Sequence, residues 1–236
     1  MKQLYISLII TALLYSCSNV QGNQTDATST ATPKATSGSL KAEVGETIKL
    51  NKPFENKATL MKALQNRKST RSFANKPVNK QDLSNLLWAA AGVNRDNGGR
   101  TVPLLGDIAI YAAMKSGVYL YEAKNHELKK VLKDDIRAQI SSQAPVKKAP
   151  VVFIMTIDDA SFPGYMKKAM KEAHGMDFYY GNQVAYSTQN IYLYACANNM
   201  NAVVIGGFNR PKVDEILDLK SEHHSYLIQL VGYKKE

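Results

Sequence analysis

Apolar and polar positions along this chain change period from block to block, and the period sets the element expected in each. In "ATLMKALQNR", Leu60, Met61 and Leu64 share one face at helical spacing, so an amphipathic helix is predicted there, running into a basic stretch. "VNKQDLSNLLWAAAGV" repeats the pattern with Leu83, Leu86, Leu87 and Ala90 as its stripe. Asn79 is the candidate N-cap of that helix, with Asp82 three residues on. Trp88 is expected in a core or an interface. "GDIAIYAAM" and "GVYLYEA" read as two strands about the turn "KSG", and a short charged helix is expected over 133–142. "APVVFIMTI" is a continuous β-branched apolar run, the pattern of a strand buried on both faces. Residues 161–174 and 182–198 read as helices, and "NAVVIGGF" as a buried strand ending in two glycines. "PKVDEILDL" is a helix with proline in its first turn, and "SYLIQLVGY" a closing strand. "ETIKLNKP" is a short extended segment ahead of them all. Clustered helices, and strands mostly separated by helices, imply an α+β sandwich: a mixed β-sheet flanked by helices.

The N-terminal residues follow another pattern. Lys2 precedes the apolar run "LYISLIITALLY" and the small residues of "SCS", the layout of a secretory signal over residues 1–16. A cysteine directly after "LLYS" resembles the bacterial lipobox, which makes Cys17 the expected lipid-bearing residue. Acyl chains contribute about 0.8 kcal/mol per buried CH2, so several on one cysteine hold firmly. Ser18 rather than Asp follows, which by the same resemblance favours the outer membrane, on its periplasmic side. Residues 17–40 are rich in Ser, Thr, Gln, Asn and Gly, the composition of a flexible tether. The body is expected over 41–236 as one domain, a length that suffices for a single sizeable core.

Composition narrows the chemistry. Cys196 is the second of two cysteines, so the body holds no intrachain disulfide, and "YLYACANNM" makes Cys196 a small helix residue rather than a nucleophile. The net charge of +10 suits an anionic partner. The charges are scattered without aromatic interleaving, which argues against nucleic acid. His223-His224 lacks a ligand pattern, so no metal is expected. Neither a P-loop nor a G-x-G-x-x-G following a strand is present.

Two stretches carry candidate chemistry. In "QNRKSTRSFANKP", Arg67 and Arg71 stand four apart at a helix end with Lys68, Ser69 and Thr70 between them. If the chain leaves the helix at Lys68, Arg67, Ser69 and Arg71 share one side. Two guanidinium forks and a hydroxyl suit a phosphate, while the same cations also serve simply to complement a helix C-terminus. In "VVIGGFN", Gly206 and Gly207 end a strand with bare backbone, which admits close approach of a planar ligand or merely forms a strand-to-helix turn.

Taken in order, "NRKSTRSF", "LLWAAAGVNR", "RTVP", "GVYLYEAKNHEL", "QNIYLYACANNMNAVVIGGFN" and "LVGY" resemble the nitroreductase family of FMN-dependent oxidoreductases over roughly residues 48–233. The resemblance implies a flavoenzyme that passes hydride or electron pairs to a small oxidised acceptor, a nitroaromatic or a quinone, and the lipobox-like cysteine adds the membrane tether. It implies a tight homodimer with FMN at the subunit interface. Arg67, Ser69 and Arg71 match the family's flavin-binding segment, and Gly206 and Gly207 match the pair whose backbone meets the flavin ring. Gln183 matches a position near the flavin, and Lys234 or Lys235 stands for the family's C-terminal phosphate-binding base. No catalytic side chain is assigned, since positioning over the flavin does most of the work. NAD(P)H, the usual donor, conflicts with export, so a quinol, a partner redox protein or operation in the dehydrogenase direction is expected instead.

Some residues depart from the family pattern. "RTVP" continues as "PLLGD", with leucines where related sequences carry Ser and Asn that bind flavin. Asn199-Met200 replaces a Gly-Leu pair, with Asn the next best residue for a left-handed cap. A family glycine within the long helix is Ala185 or absent, and the C-terminal arm is short. The "PLLGD" loop supports an alternative: a lipoprotein that keeps the fold but binds little or no flavin and acts as a binding or assembly module.

Overall fold

The computed structural model describes residues 40–54 and 58–235. The expected signal (1–16), Cys17 and all of the tether except Leu40 lie outside the described residues. Seven strands form one sheet: β1 (Thr47–Lys49), β2 (Ile108–Met114), β3 (Gly117–Glu122), β4 (Glu127–Leu132), β5 (Val151–Asp158), β6 (Met200–Ile205) and β7 (His223–Tyr233). The helices are α1 (Leu60–Asn66), α2 (Lys80–Ala91), α3 (Arg137–Ile140), α4 (Ala144–Lys148), α5 (Gly164–Ala173), α6 (Met176–Ala197) and α7 (Arg210–Ile216). The strand order is β1-β4-β3-β2-β5-β7-β6.

The α+β sandwich expected from the sequence is present, and every pair of these strands runs antiparallel. The parallel component is a single bridge between Ser69 and Ala202, among the described residues. β2 and β3 are hairpin partners, and β5 returns antiparallel beside β2, so the sheet grows by reversals. Residues 151–157 of β5 are all buried, as their uniform β-branched pattern requires.

Each face of the sheet carries its own core. On one, Leu83, Leu86 and Leu87 of α2 and Val184 and Ile191 of α6 pack with Phe153 and Met155. On the other, Ile140, Val146 and Val213 from α3, α4 and α7 pack with Val152, Ile154, Ile228 and Leu230. Asn79 caps α2 by accepting from the Asp82 amide at 2.8 Å. Asn199 takes the left-handed conformation (φ 56°) that lets the chain turn from α6 into β6.

Several elements differ from their sequence pattern. The 133–142 helix is shorter, one turn of α3 followed by α4. α6 begins at Met176 rather than 182, because buried Tyr180 packs edge-on against Phe162 and Tyr226 and carries the helix through Gly181. His223 and His224 open β7 instead of sitting in a turn, and His223 Nε2 lies 2.6 Å from Thr156 Oγ1. α1 buries Ala63 and turns its predicted stripe outward: Leu60, Met61 and Leu64 are 63%, 64% and 45% exposed. Trp88 is half-buried, with its Nε1 donating to Val93 O at 3.1 Å.

Candidate functional site

The basic stretch that follows α1 is fastened to β6. The Thr70 amide donates to Ala202 O at 2.9 Å, and Asn201 Nδ2 donates to Ser72 O at 2.7 Å. Tyr192 of α6 organises the same place. Its hydroxyl lies 2.8 Å from Ser69 Oγ and accepts from the Val204 amide at 2.8 Å. The Arg67 guanidinium sits over its ring, 5.3 Å from the centroid, where a cation gains from the face of the π system. The structure thus brings Arg67 and Ser69 together around Tyr192, whose hydroxyl is anchored at Val204, two residues before Gly206. Lys68 and Arg71 are exposed on the same segment. Neither Arg67 nor Arg71 is in an ion pair among the described residues.

β6 runs from this cationic segment into the glycine turn. Gly206 and Gly207 are exposed and neither has a positive φ. A Cβ on Gly207 would meet nothing within 4 Å, and one on Gly206 only Leu227 Cδ2 at 3.8 Å. Nothing among the described residues demands glycine here. The space beside the turn is open, and among the described residues the Gly207 and Phe208 amides make no hydrogen bond. Donors without partners beside bare backbone fit the edge of a planar, acceptor-rich group. The other side of the turn is held: Gln143 Nε2 donates to Gly207 O at 2.9 Å, and the Asn209 amide donates to Ile140 O at 3.0 Å.

Lys234 lies at the other end of β6. Tyr233 pairs with Met200, and the Lys234 amide donates to Asn199 O at 3.4 Å. Six strand residues at ~3.3 Å each separate it from the glycine turn by about 20 Å. The closing "VGY" is fixed from beneath, because Tyr233 and Tyr194 both donate to the carboxylate of Asp82, at 2.6 and 2.9 Å. Burial first, and Asp82 as well, pushes both tyrosine hydroxyls well above their ordinary range.

Gln183 is 2% exposed and supports the "PLLGD" loop. Its Oε1 accepts from the Leu105 and Gly106 amides, at 2.6 and 3.1 Å. Among the described residues its buried Nε2 has no partner, so one donor of this side chain is left over. Gly106 is pressed against Phe162, where a Cβ would stand 2.4 Å from the ring, and Leu105 is 46% exposed. A cavity of about 620 Å³ opens at the 93–100 hairpin, lined by Arg95, Arg100 and Lys124 among others. Arg100 is itself committed to Ala91 O and to Asp107, at 2.9 and 3.6 Å.

Two participants carry no signal in the sequence. Tyr192 reads as one more apolar helix position in "QNIYLYACA", and Gln143 as a loop residue in "SSQAP". Each acts on a group far along the chain, so only the fold assigns its partner.

Comparison with known proteins gives consistent results. The model of the nitroreductase family matches residues 64–233. A protein of Methanocaldococcus jannaschii provisionally named a nitroreductase is 26% identical over 207 residues, covering 82% of this chain and all of its own. The crystal structure of a Ralstonia eutropha protein, likewise provisionally named a nitroreductase, superposes with a TM-score of 0.69 at 31% identity, covering 80% of this chain and 90% of that one. The NADPH:FMN oxidoreductase of Vibrio harveyi, solved with NAD+, shares the fold at 16% identity and a TM-score of 0.52, over 75% of this chain and 69% of its own.

Proposed function

The chain belongs to the nitroreductase family, and from that premise we propose that it is an FMN-dependent oxidoreductase acting on a small oxidised acceptor such as a nitroaromatic or a quinone. The observation that carries this is the glycine turn, with free amides and open space on one side, joined by β6 to two unpaired arginines. The guanidiniums of Arg67 and Arg71, the Ser69 hydroxyl and Lys234 would hold the phosphate. The bare backbone at Gly206 and Gly207, with the free amides of Gly207 and Phe208 and the spare donor of Gln183, would meet the ring. Bound flavin supplies the hydride or electron-pair transfer. The chain contributes binding and orientation, and no side chain here is required to shuttle a proton.

Absorbance of the purified body tests this reading. Flavin bands, or their appearance on adding FMN, are expected, and a colourless protein that takes up no FMN removes it. One observation favours a second reading, a fold kept without flavin: "PLLGD" offers leucines and consumes the Gln183 oxygen for its own support. The same spectrum decides between them.

The working unit is a homodimer in this reading. The stripe of Leu60, Met61 and Leu64 on α1 is left outward by the single chain, which suits a second copy. Among the described residues no helix is long and apolar enough to cross a membrane. The lipobox-like "LLYSC" supports export and a lipid tether at Cys17, testable by labelled fatty-acid incorporation and its loss in Cys17→Ala. Placement outside the cytoplasm would require a donor other than NAD(P)H, and rapid reduction by NADH would overturn that part.

A further inference from the structure

The glycine turn is free on one side and clamped on the other, and the clamp comes from the α3–α4 connection. Gln143 is the N-cap residue of α4, yet its side chain makes no capping bond to that helix. It reaches instead to Gly207 O at 2.9 Å, an atom that only accepts, so the amide nitrogen must face it. From the same connection, Ile140 O accepts from the Asn209 amide at 3.0 Å. Ile140 and Val146 on either side of Gln143 are fully buried, which ties the clamp to the rigid core below. A trans peptide is planar, with C=O and N–H pointing to opposite sides. Turning Gly207 C=O toward Gln143 therefore turns the Phe208 N–H away from it, to the side where that amide has no partner among the described residues.

We propose that Gln143 is a positioning residue for the glycine turn: by holding Gly207 O it keeps the Phe208 amide presented as a ready donor to bound flavin. The proposal rests on the FMN reading above and assigns Gln143 no contact with the flavin itself. An amide set in place beforehand adds affinity because less ordering is left to binding. A donor beside the ring also favours the electron-rich reduced form, so the clamp raises the midpoint potential of the bound flavin.

The test compares wild type, Gln143→Leu and Gln143→Glu in three measurements: FMN titration, the midpoint potential of the bound flavin, and amide hydrogen exchange of the flavin-free protein. Gln143→Leu is expected to bind FMN about fivefold more weakly, ~1 kcal/mol at 1.4 kcal/mol per decade. Its potential should fall, and exchange over 206–209 should quicken while the unfolding midpoint stays at the wild-type value. Gln143→Glu, which turns an acceptor toward Gly207 O, should weaken binding further. Wild-type affinity and potential in both variants would overturn the proposal and leave the FMN reading standing. A loss of affinity matched by a general loss of stability would overturn the positioning role. A wild-type protein that takes up no FMN would remove the reading and the proposal together, even if exchange in the flavin-free variant still changed.

Discussion

Gly232 and Gly207 contrast within one sheet. At Gly232 a Cβ would stand 2.6 Å from Pro150 Cδ and 3.1 Å from Phe73, so the chain itself explains the glycine. At Gly207 the same atom would meet nothing, and the backbone is not in the left-handed region. One glycine is needed by the fold, and nothing among the described residues requires the other. The same division separates polar groups. Asp82 is saturated by Tyr194, Tyr233 and Asn79, whereas the buried nitrogen of Gln183 is left over. Residues unexplained from within gather around β6 and the "PLLGD" loop, which is where a ligand is expected.

Substitution sharpens the contrast, and the largest effect belongs to the fold side. Gly232→Ala forces the rigid Pro150 ring aside and should cost about 1–3 kcal/mol in the urea unfolding free energy. Gly207→Ala should leave that free energy unchanged or raise it by up to ~1 kcal/mol, since alanine narrows the unfolded ensemble at a compatible site. The same variant should weaken FMN binding about tenfold, ~1.4 kcal/mol, in a fluorescence titration. If both glycines behaved alike in both assays, the division would fail. On α1, Met61→Glu with Leu64→Glu should shift a dimer toward monomer in sedimentation, with the folded monomer's stability altered by no more than ~0.5 kcal/mol per exposed site.

The smallest effect is a pH slope on the fold side. Burial holds His126 and His223 below the ordinary histidine value, although Asn51 and nearby aspartates partly oppose it. Both are therefore neutral in the fold and charge more readily when unfolded. Their contribution is fully present above the unfolded pKa of about 6.5 and is lost as pH falls through the lower folded values. Urea midpoints should drop between pH 7.5 and 5. His126→Gln should flatten that slope, and an unchanged slope would show that His126 does not contribute.

Much of the frame was legible because it depends on local chemistry. The apolar run of β5, the Asn79 cap, the turn at Asn199 and Pro211 at the head of α7 each depend on neighbours in sequence. The stripe on α1 was legible as a stripe only: spacing shows that a face is apolar, not what covers it. Antiparallel pairing could not be read, since a strand's pattern reports burial rather than direction. In the candidate site, the cations and glycines stood out by composition. Tyr192 did not, because its role depends on Ser69, more than a hundred residues away, reaching its hydroxyl. The support that Gln183 gives to the "PLLGD" loop was not legible either, since only the fold brings its oxygen to two backbone amides.

The place of β7 also orders events in time. As the chain emerges from the ribosome, β6 and the glycine turn appear before β7, yet β7 is the only strand that joins β6 to the rest of the sheet, among the described residues. Apart from the single bridge to Ser69, the turn has no sheet to belong to until Tyr233 has been made and seated on Asp82. A nascent chain halted before His223 would expose the buried edge of β5, a template for unwanted pairing. The glycine turn is therefore among the last parts to form, and an incomplete chain has no assembled candidate site.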